Sequence, residues 1–296
     1  MTKITVVDSL MGTGKTSWAI QYMRERGIAV PQSGTILPSF IYVAPFLDEA
    51  KRIKTALPEL NFAEPNTRNA KGSKLESLKI LLGAGENICT THALFLRCDF
   101  EVLALLQKMN YVLILDEVID VVEIINGDSD LPKDDWGILL EHGILSIENK
   151  WIKWNWKTDY NGKLFKFKDK CYFNNVYQFR NKDYLWTFPV EIFKSFAEIY
   201  VLTYLFDGSL QKYFFDYHQL KYELQSVSNG ELVPYVGIGD TSQIKNLIKI
   251  CNKDKMNLVG EGRTKNGIDY SLSYTHLLEK ATAEELEACN CQILST

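Results

Sequence analysis

The stretch "VDSLMGTGKTS" at residues 7–17 constrains this chain more than any other part of it. The β-branched run Ile4–Val7 before it reads as a buried parallel strand. The segment after it, "TSWAIQYMRERG", places Trp18, Ile20, Tyr22 and Met23 at helical spacing and stops at Gly27. Strand, glycine-rich loop and helix in immediate succession build an anion cradle. Gly12 and Gly14 let backbone N–H groups turn inward, and the helix N-terminus adds its own. In the pattern G-x-x-x-x-G-K-[ST], Lys15 reaches the outer phosphates of a nucleotide and Thr16 holds Mg²⁺. Met11, Gly12, Thr13, Gly14, Lys15, Thr16 and Ser17 are therefore the expected contacts of the nucleotide, with ATP the default. The first position of the pattern holds Ser9 instead of glycine, and a small residue serves there if its backbone angle is ordinary.

A phosphate loop needs a second strand carrying acids. "YVLILDEVID" (111–120) supplies an apolar run ending in Asp116 and Glu117, at the strand end where α/β sheets bind ligands. Asp116 is expected to organise the Mg²⁺ shell. Glu117 is placed to polarise the attacking water as general base. Asp120 and Glu123 read as solvated acids at a helix start.

In order along the chain come A/G/S-x-x-G-x-G-K-T, "FIYVAPFLDEAKRI" (40–53), "NICTTHALFLR" (87–97), the DE box and "IYVLTYLFDGS" (199–209). This series resembles the superfamily 2 helicases, the DEAD/DEAH-box-like ATPases, in wording closest to those of bacteriophages. The resemblance spans roughly residues 1–210. It implies a three-layer α/β P-loop NTPase fold of RecA type with a mostly parallel sheet. It further implies Mg-ATP hydrolysis catalysed by Lys15, Asp116 and Glu117, with Thr203 coupling hydrolysis to movement. Thr91 and His92 would lie near a bound strand of DNA or RNA, single or at a fork, with replication proteins as further partners. His92 also reads as a helix-start histidine bonded locally. The box is DEVI here, so its last residue lacks the usual polar contact to the threonine strand.

Between the box and Thr203 the charge changes sharply. "WIKWNWKTDYNGKLFKFKDKCYFNNVYQFR" (151–180) alternates aromatics and lysines at period two around Asn161-Gly162, a strong hairpin signal. A basic, aromatic β-hairpin inserted over about 146–188 is the expectation, with Lys166 and Lys168 on one face. Such a hairpin either clamps nucleic acid, lysines on phosphates and an aromatic on a base, or packs its aromatic face on the core with lysines guarding its edge.

Residues 1–208 thus read as a RecA-like ATP-binding lobe and 209–296 as a linker with part of a second lobe. "SLQKYFFDYHQLKYELQSV" suggests a short helix and a strand, and "DTSQIKNLIKICNKDK" and "TAEELEACNCQI" suggest two further helices. "GEGRTKNG" (260–267), with Arg263, reads as a loop and lacks the context of the arginine fingers that complete such sites. The net charge of −4 announces no global polyanion partner. The six cysteines show no zinc spacing and read as reduced thiols, which suits a cytoplasmic protein (host cytoplasm for a phage). Neither a signal-peptide pattern nor an apolar stretch long enough to span a membrane is present. Three other readings stay open. A terminase-like packaging ATPase would need clustered aspartates after residue 210, a small-molecule kinase would need an arginine-rich lid, and a nucleotide-binding module would need no turnover.

Overall fold

Each long apolar run becomes an interior strand. In the computed structural model, residues 2–28, 37–68, 72–126, 133–156, 162–171, 173–180 and 183–237, and the pairs 263–264 and 267–268, are described. β1 (Lys3–Asp8) leads into α1 (Lys15–Gly27), and β2 (Ser39–Ala44) into α2 (Leu47–Ala56). Then come α3 (Lys74–Ala84), β3 (Ile88–Thr91), the short α4 (His92–Phe95), α5 (Phe100–Leu106) and β4 (Tyr111–Asp116).

The segment that follows β4 departs from expectation. It is a five-stranded antiparallel sheet with two helices, and it starts at Val122 instead of near residue 146. Its elements are β5 (Val122–Asn126), α6 (Lys133–Glu141), β6 (Leu145–Glu148), β7 (Trp151–Trp154), α7 (Phe165–Lys170), β8 (Val176–Gln178) and β9 (Asp183–Thr187). The hairpin joins β6 to β7 through Asn149 and Lys150, whose φ values of 52° and 70° give the twist a two-residue turn requires. Asn161 lies outside the described residues. The lysine-rich run 165–170, expected as a strand, is helical. Leu164, Phe167 and Cys171 are spaced three and four apart, and all three are buried. That spacing puts them on one helical face, and burying them outweighs the apparent alternation. Lys166 and Lys168 therefore sit on a short helix and do not share a strand face. Asp120 and Glu123 do not begin a helix either: Glu123 lies in β5 and pairs with Lys170.

After α8 (Val190–Lys194), β10 (Glu198–Thr203) returns to the first sheet, and α9 (Leu210–Tyr217), β11 (Tyr222–Ser228) and β12 (Glu231–Pro234) follow. The helix and strand expected after residue 209 are present, and they belong to the same compact unit as β1. β11 runs parallel to β1 in the register Ile4↔Tyr222 to Val7↔Gln225, so the boundary expected at 208 moves to the division between the compact units Met1–Gly239 and Asp240–Thr296. In the second unit, Arg263–Thr264 (β13) pairs antiparallel with Gly267–Ile268 (β14), where a loop was expected. The helices expected around 241–252 and from 282 lie outside the described residues.

The main sheet has the order β12-β11-β1-β10-β4-β2-β3, parallel throughout except for the terminal β12. Parallel strands are covered on both faces, which is why β2, β4 and β10 read as unbroken apolar runs. Successive residues alternate between two cores. Val7, Phe40, Tyr42, Ile114 and Leu202 pack with Trp18, Met23 and Ile53 from α1 and α2. Val6, Ile41, Leu113, Leu115 and Val201 pack with side chains of α3, α5, α8 and α9 on the other face. The second core runs on without a break into the inserted sheet, through Leu145, Ile152, Val176, Tyr184 and Trp186. Among the described residues, no helix is long and apolar enough to cross a membrane.

Candidate active site

The C-terminal ends of β1, β10, β4 and β2 share one edge of the sheet, and the motifs gather there. Gly12 and Gly14 adopt φ values of 78° and 93°, the left-handed region that favours glycine, and a side chain at either would point into open space. Gly14 caps α1, so Lys15 is its first residue. The Lys15 Nζ donates to the carbonyls of Ser9 (2.6 Å) and Leu10 (3.1 Å), arching over the loop. Burial holds its pKa below the ordinary lysine value, against the opposing fields of Glu117, Asp8 and Asp116. Thr16 is half-buried, while Met11 and Ser17 are exposed and the Thr13 hydroxyl donates to the Leu10 carbonyl at 2.8 Å.

The Ser9 N–H donates to the Thr203 carbonyl (3.1 Å), as a glycine's would, but its Oγ also accepts from the Val227 N–H (2.9 Å), a tie from the loop to β11 that glycine could not make.

The two acids are held differently. Asp116 Oδ2 accepts from the buried Tyr42 hydroxyl at 2.6 Å, and its carbonyl accepts from His92 Nε2 at 3.0 Å. A carbonyl only accepts, so this ring nitrogen carries the proton. His92 is thus joined to the DE strand and not only to its own helix, and burial lowers its pKa. Glu117 stands at φ 75°, a strained conformation for a side chain of this kind. Three contacts hold it there. Its N–H donates to the Leu202 carbonyl at 2.9 Å, and Thr203 Oγ1 donates to its Oε2 at 3.1 Å. Two residues on, the Ile119 N–H donates to Oε1 of the buried Gln211 at 2.8 Å. Burial raises the pKa of both acids above the ordinary carboxylate range. Tyr42 opposes the rise at Asp116, and Thr203 and Lys15 oppose it at Glu117.

Asp8, Tyr42 and Gln211 had no place in the sequence reading. Tyr42 and Gln211 carry no local signal, but an acid closing a buried strand directly before a glycine-rich loop was a visible anomaly. Asp8 is only 4% exposed, and its two oxygens accept from the Leu205 and Phe206 N–H groups, each at 2.9 Å. It binds the end of β1 to the turn that follows Thr203. Asp8→Ala leaves the buried Phe206 N–H and the partly exposed Leu205 N–H without their acceptor and should cost about 2 kcal/mol, at roughly 1–3 kcal/mol per orphaned buried group. Urea unfolding followed by circular dichroism measures it, and Asp8→Asn, which keeps one acceptor, should lose less.

Lys15, Asp116, Glu117, Thr203, Thr91 and His92 therefore come together at this edge, whereas Lys166 and Lys168 stay in the inserted segment. Among the described residues, no group of three or more histidine, cysteine or acidic side chains is arranged to hold a metal by itself. Cys89, Cys98 and Cys171 are buried free thiols, as expected.

No family model matches the chain. Over 236 residues it is 35% identical to the SPbeta prophage-derived uncharacterized protein YonV of Bacillus subtilis (strain 168), a match covering 77% of this chain and 55% of that relative. The chain thus spans just over half the length of the curated relative it matches.

Proposed function

We propose that this chain is an ATP-dependent nucleic-acid motor of helicase type, built on a P-loop NTPase lobe. The observation that carries the reading is the order of three strands. β10 lies between the loop strand β1 and the DE strand β4, and its Thr203 hydroxyl donates to the Glu117 carboxylate. A threonine so placed feels the charge and position of the general base directly.

The loop suits a nucleotide phosphate group. Gly12 and Gly14 keep the space in front of them clear, and Lys15 already lies over the loop that would receive the anion. Lys15 and the loop N–H groups would bind the phosphates, with Thr16 and Asp116 holding Mg²⁺. When bound, Mg-ATP would supply the transferable phosphoryl group, with the metal offsetting its charge. Glu117 would orient the attacking water and take its proton, and Thr203 would keep the carboxylate aimed. The prophage origin of the relative fits a role in phage replication or recombination.

Steady-state ATP hydrolysis, with and without single- and double-stranded DNA and RNA, tests the reading. Turnover is expected to rise several-fold with one of these polymers. Binding of ATP without turnover under any of these conditions would reduce the chain to a nucleotide-binding module and end the motor reading.

A further inference from the structure

The inserted antiparallel sheet has one face packed on the core and one that is not. The inner face carries Ile125, Tyr184, Val176 and Ile152, all buried. On the other face the pairing registers align a single row across all five strands: Ile124↔Leu185, Leu185↔Tyr177, Tyr177↔Trp151 and Trp151↔Glu148. Ile124 is 64% exposed and Trp151 36%, while Leu185 and Tyr177 are half-buried between them. The Trp151 and Tyr177 rings meet edge to face with centroids 5.2 Å apart. Each side chain thus leaves an apolar surface to solvent where sheets of this kind usually turn polar.

Charge says what such a row receives. Over the whole inserted segment, 122–188, lysines and arginines balance acids at ten each, but the basic residues gather in its second part, where 145–188 holds nine of them against four acids. Lys153 lies on the face of the row, two residues from Trp151, and its ion pair with Glu148 is exposed. The Arg180 guanidinium, close to the end of β8, is also exposed and stands over the Phe179 ring, with Asp183 at 4.0 Å. Exposed pairs of this kind contribute little and exchange readily for a phosphate. A protein partner would need about 800 Å² of buried surface on each side. A row one side chain wide does not offer it, whereas stacked bases need only a ring and a flanking cation.

We infer that the outer face of the inserted sheet is a stacking platform for single-stranded nucleic acid. Bases lie on the Trp151–Tyr177–Leu185–Ile124 row, and phosphates meet Lys153 and Arg180. The inference rests on the motor reading only for there being a nucleic-acid partner. It relocates that partner's contacts from the α7 lysines to a face whose far half, Leu185 and Ile124, belongs to other strands.

Fluorescence anisotropy of labelled oligothymidylate and oligouridylate of about 20 nucleotides, long enough for the site sizes of such surfaces, tests it on the full chain without nucleotide. A duplex of the same length serves as control. Trp151→Ala and Tyr177→Ala are each expected to weaken the preferred single strand about tenfold. Ile124→Glu should weaken it as well, Trp151→Phe should restore most of the affinity, and the duplex should bind less tightly than the preferred strand. The proposal is overturned if neither single strand binds, or if Trp151→Ala and Ile124→Glu, with native melting curves, bind as wild type does. It is also overturned if only the duplex is held, and an unchanged oligonucleotide affinity would mark the row as a surface for some other partner. ATP turnover that is lost in Glu117→Gln while these variants bind normally defeats the platform alone. Weakened binding in the variants without any turnover defeats the motor reading alone.

Discussion

Glu117→Gln should retain Mg-ATP and lose between about 100- and 10,000-fold in kcat, the range a positioned general base contributes. The substitution keeps the shape of the side chain and its acceptor for the Thr203 hydroxyl, so the loop and Asp116 are undisturbed. What disappears is the capacity to take a proton. Single-turnover hydrolysis alongside equilibrium binding of a labelled nucleotide separates these effects, and a matching loss of affinity would show that Glu117 does something other than activate water. The pH profile is a second readout. Burial lifts the Glu117 carboxyl above the ordinary range, and a base must be ionised to act. In wild type, kcat/KM should therefore fall as pH drops through that raised value, beginning at a higher pH than an exposed glutamate would impose. The residual rate of Glu117→Gln should not show this step.

Lys15→Ala should act earlier, on binding itself. Charge-assisted hydrogen bonds contribute roughly 1.5–3 kcal/mol each, so nucleotide affinity should drop about 10- to 100-fold. Turnover at any attainable nucleotide concentration should drop with it. The carbonyls of Ser9 and Leu10 that the ammonium now meets are only partly buried, so water can replace it and the melting temperature should move little. Isothermal titration with Mg-ATP measures the first effect and a thermal melt the second. A large loss of stability with affinity intact would make Lys15 a structural brace. Lys15→Arg should rescue little, because a planar fork does not reproduce a compact ammonium.

The parts that could be read in advance are those that burial writes into local pattern. β2, β4 and β10 are covered on both sides, and the interiors of these strands are apolar without interruption. The loop was recognisable because Gly12 and Gly14 occupy angles that few other residues tolerate. Long-range ties left no such trace. Ser9 meets Val227 and Asp8 meets Phe206 across some two hundred positions, and nothing near Ser9 or Asp8 names the partner. The inserted segment misled for a different reason. From Leu164 to Cys171 the sequence satisfies two periods at once, and the choice between them is made by Trp136 and Tyr184, against whose rings Phe167 packs. The turn at Asn149-Lys150 was passed over because Asn-Gly, twelve positions later, carried the stronger signal.

The inserted sheet is not slung on a linker. Its first and last strands pair with each other, and the Phe188 N–H, just past β9, donates to the Val121 carbonyl just before β5 at 2.8 Å. Phe188 stacks on Phe95 of α4, and Phe173 rests against Phe100 of α5 with centroids 4.3 Å apart. Interdigitated rings have little compressibility. The stand-off between the outer face of this sheet and helices α4 and α5 is therefore gauged by packed carbon, not by slack in the chain.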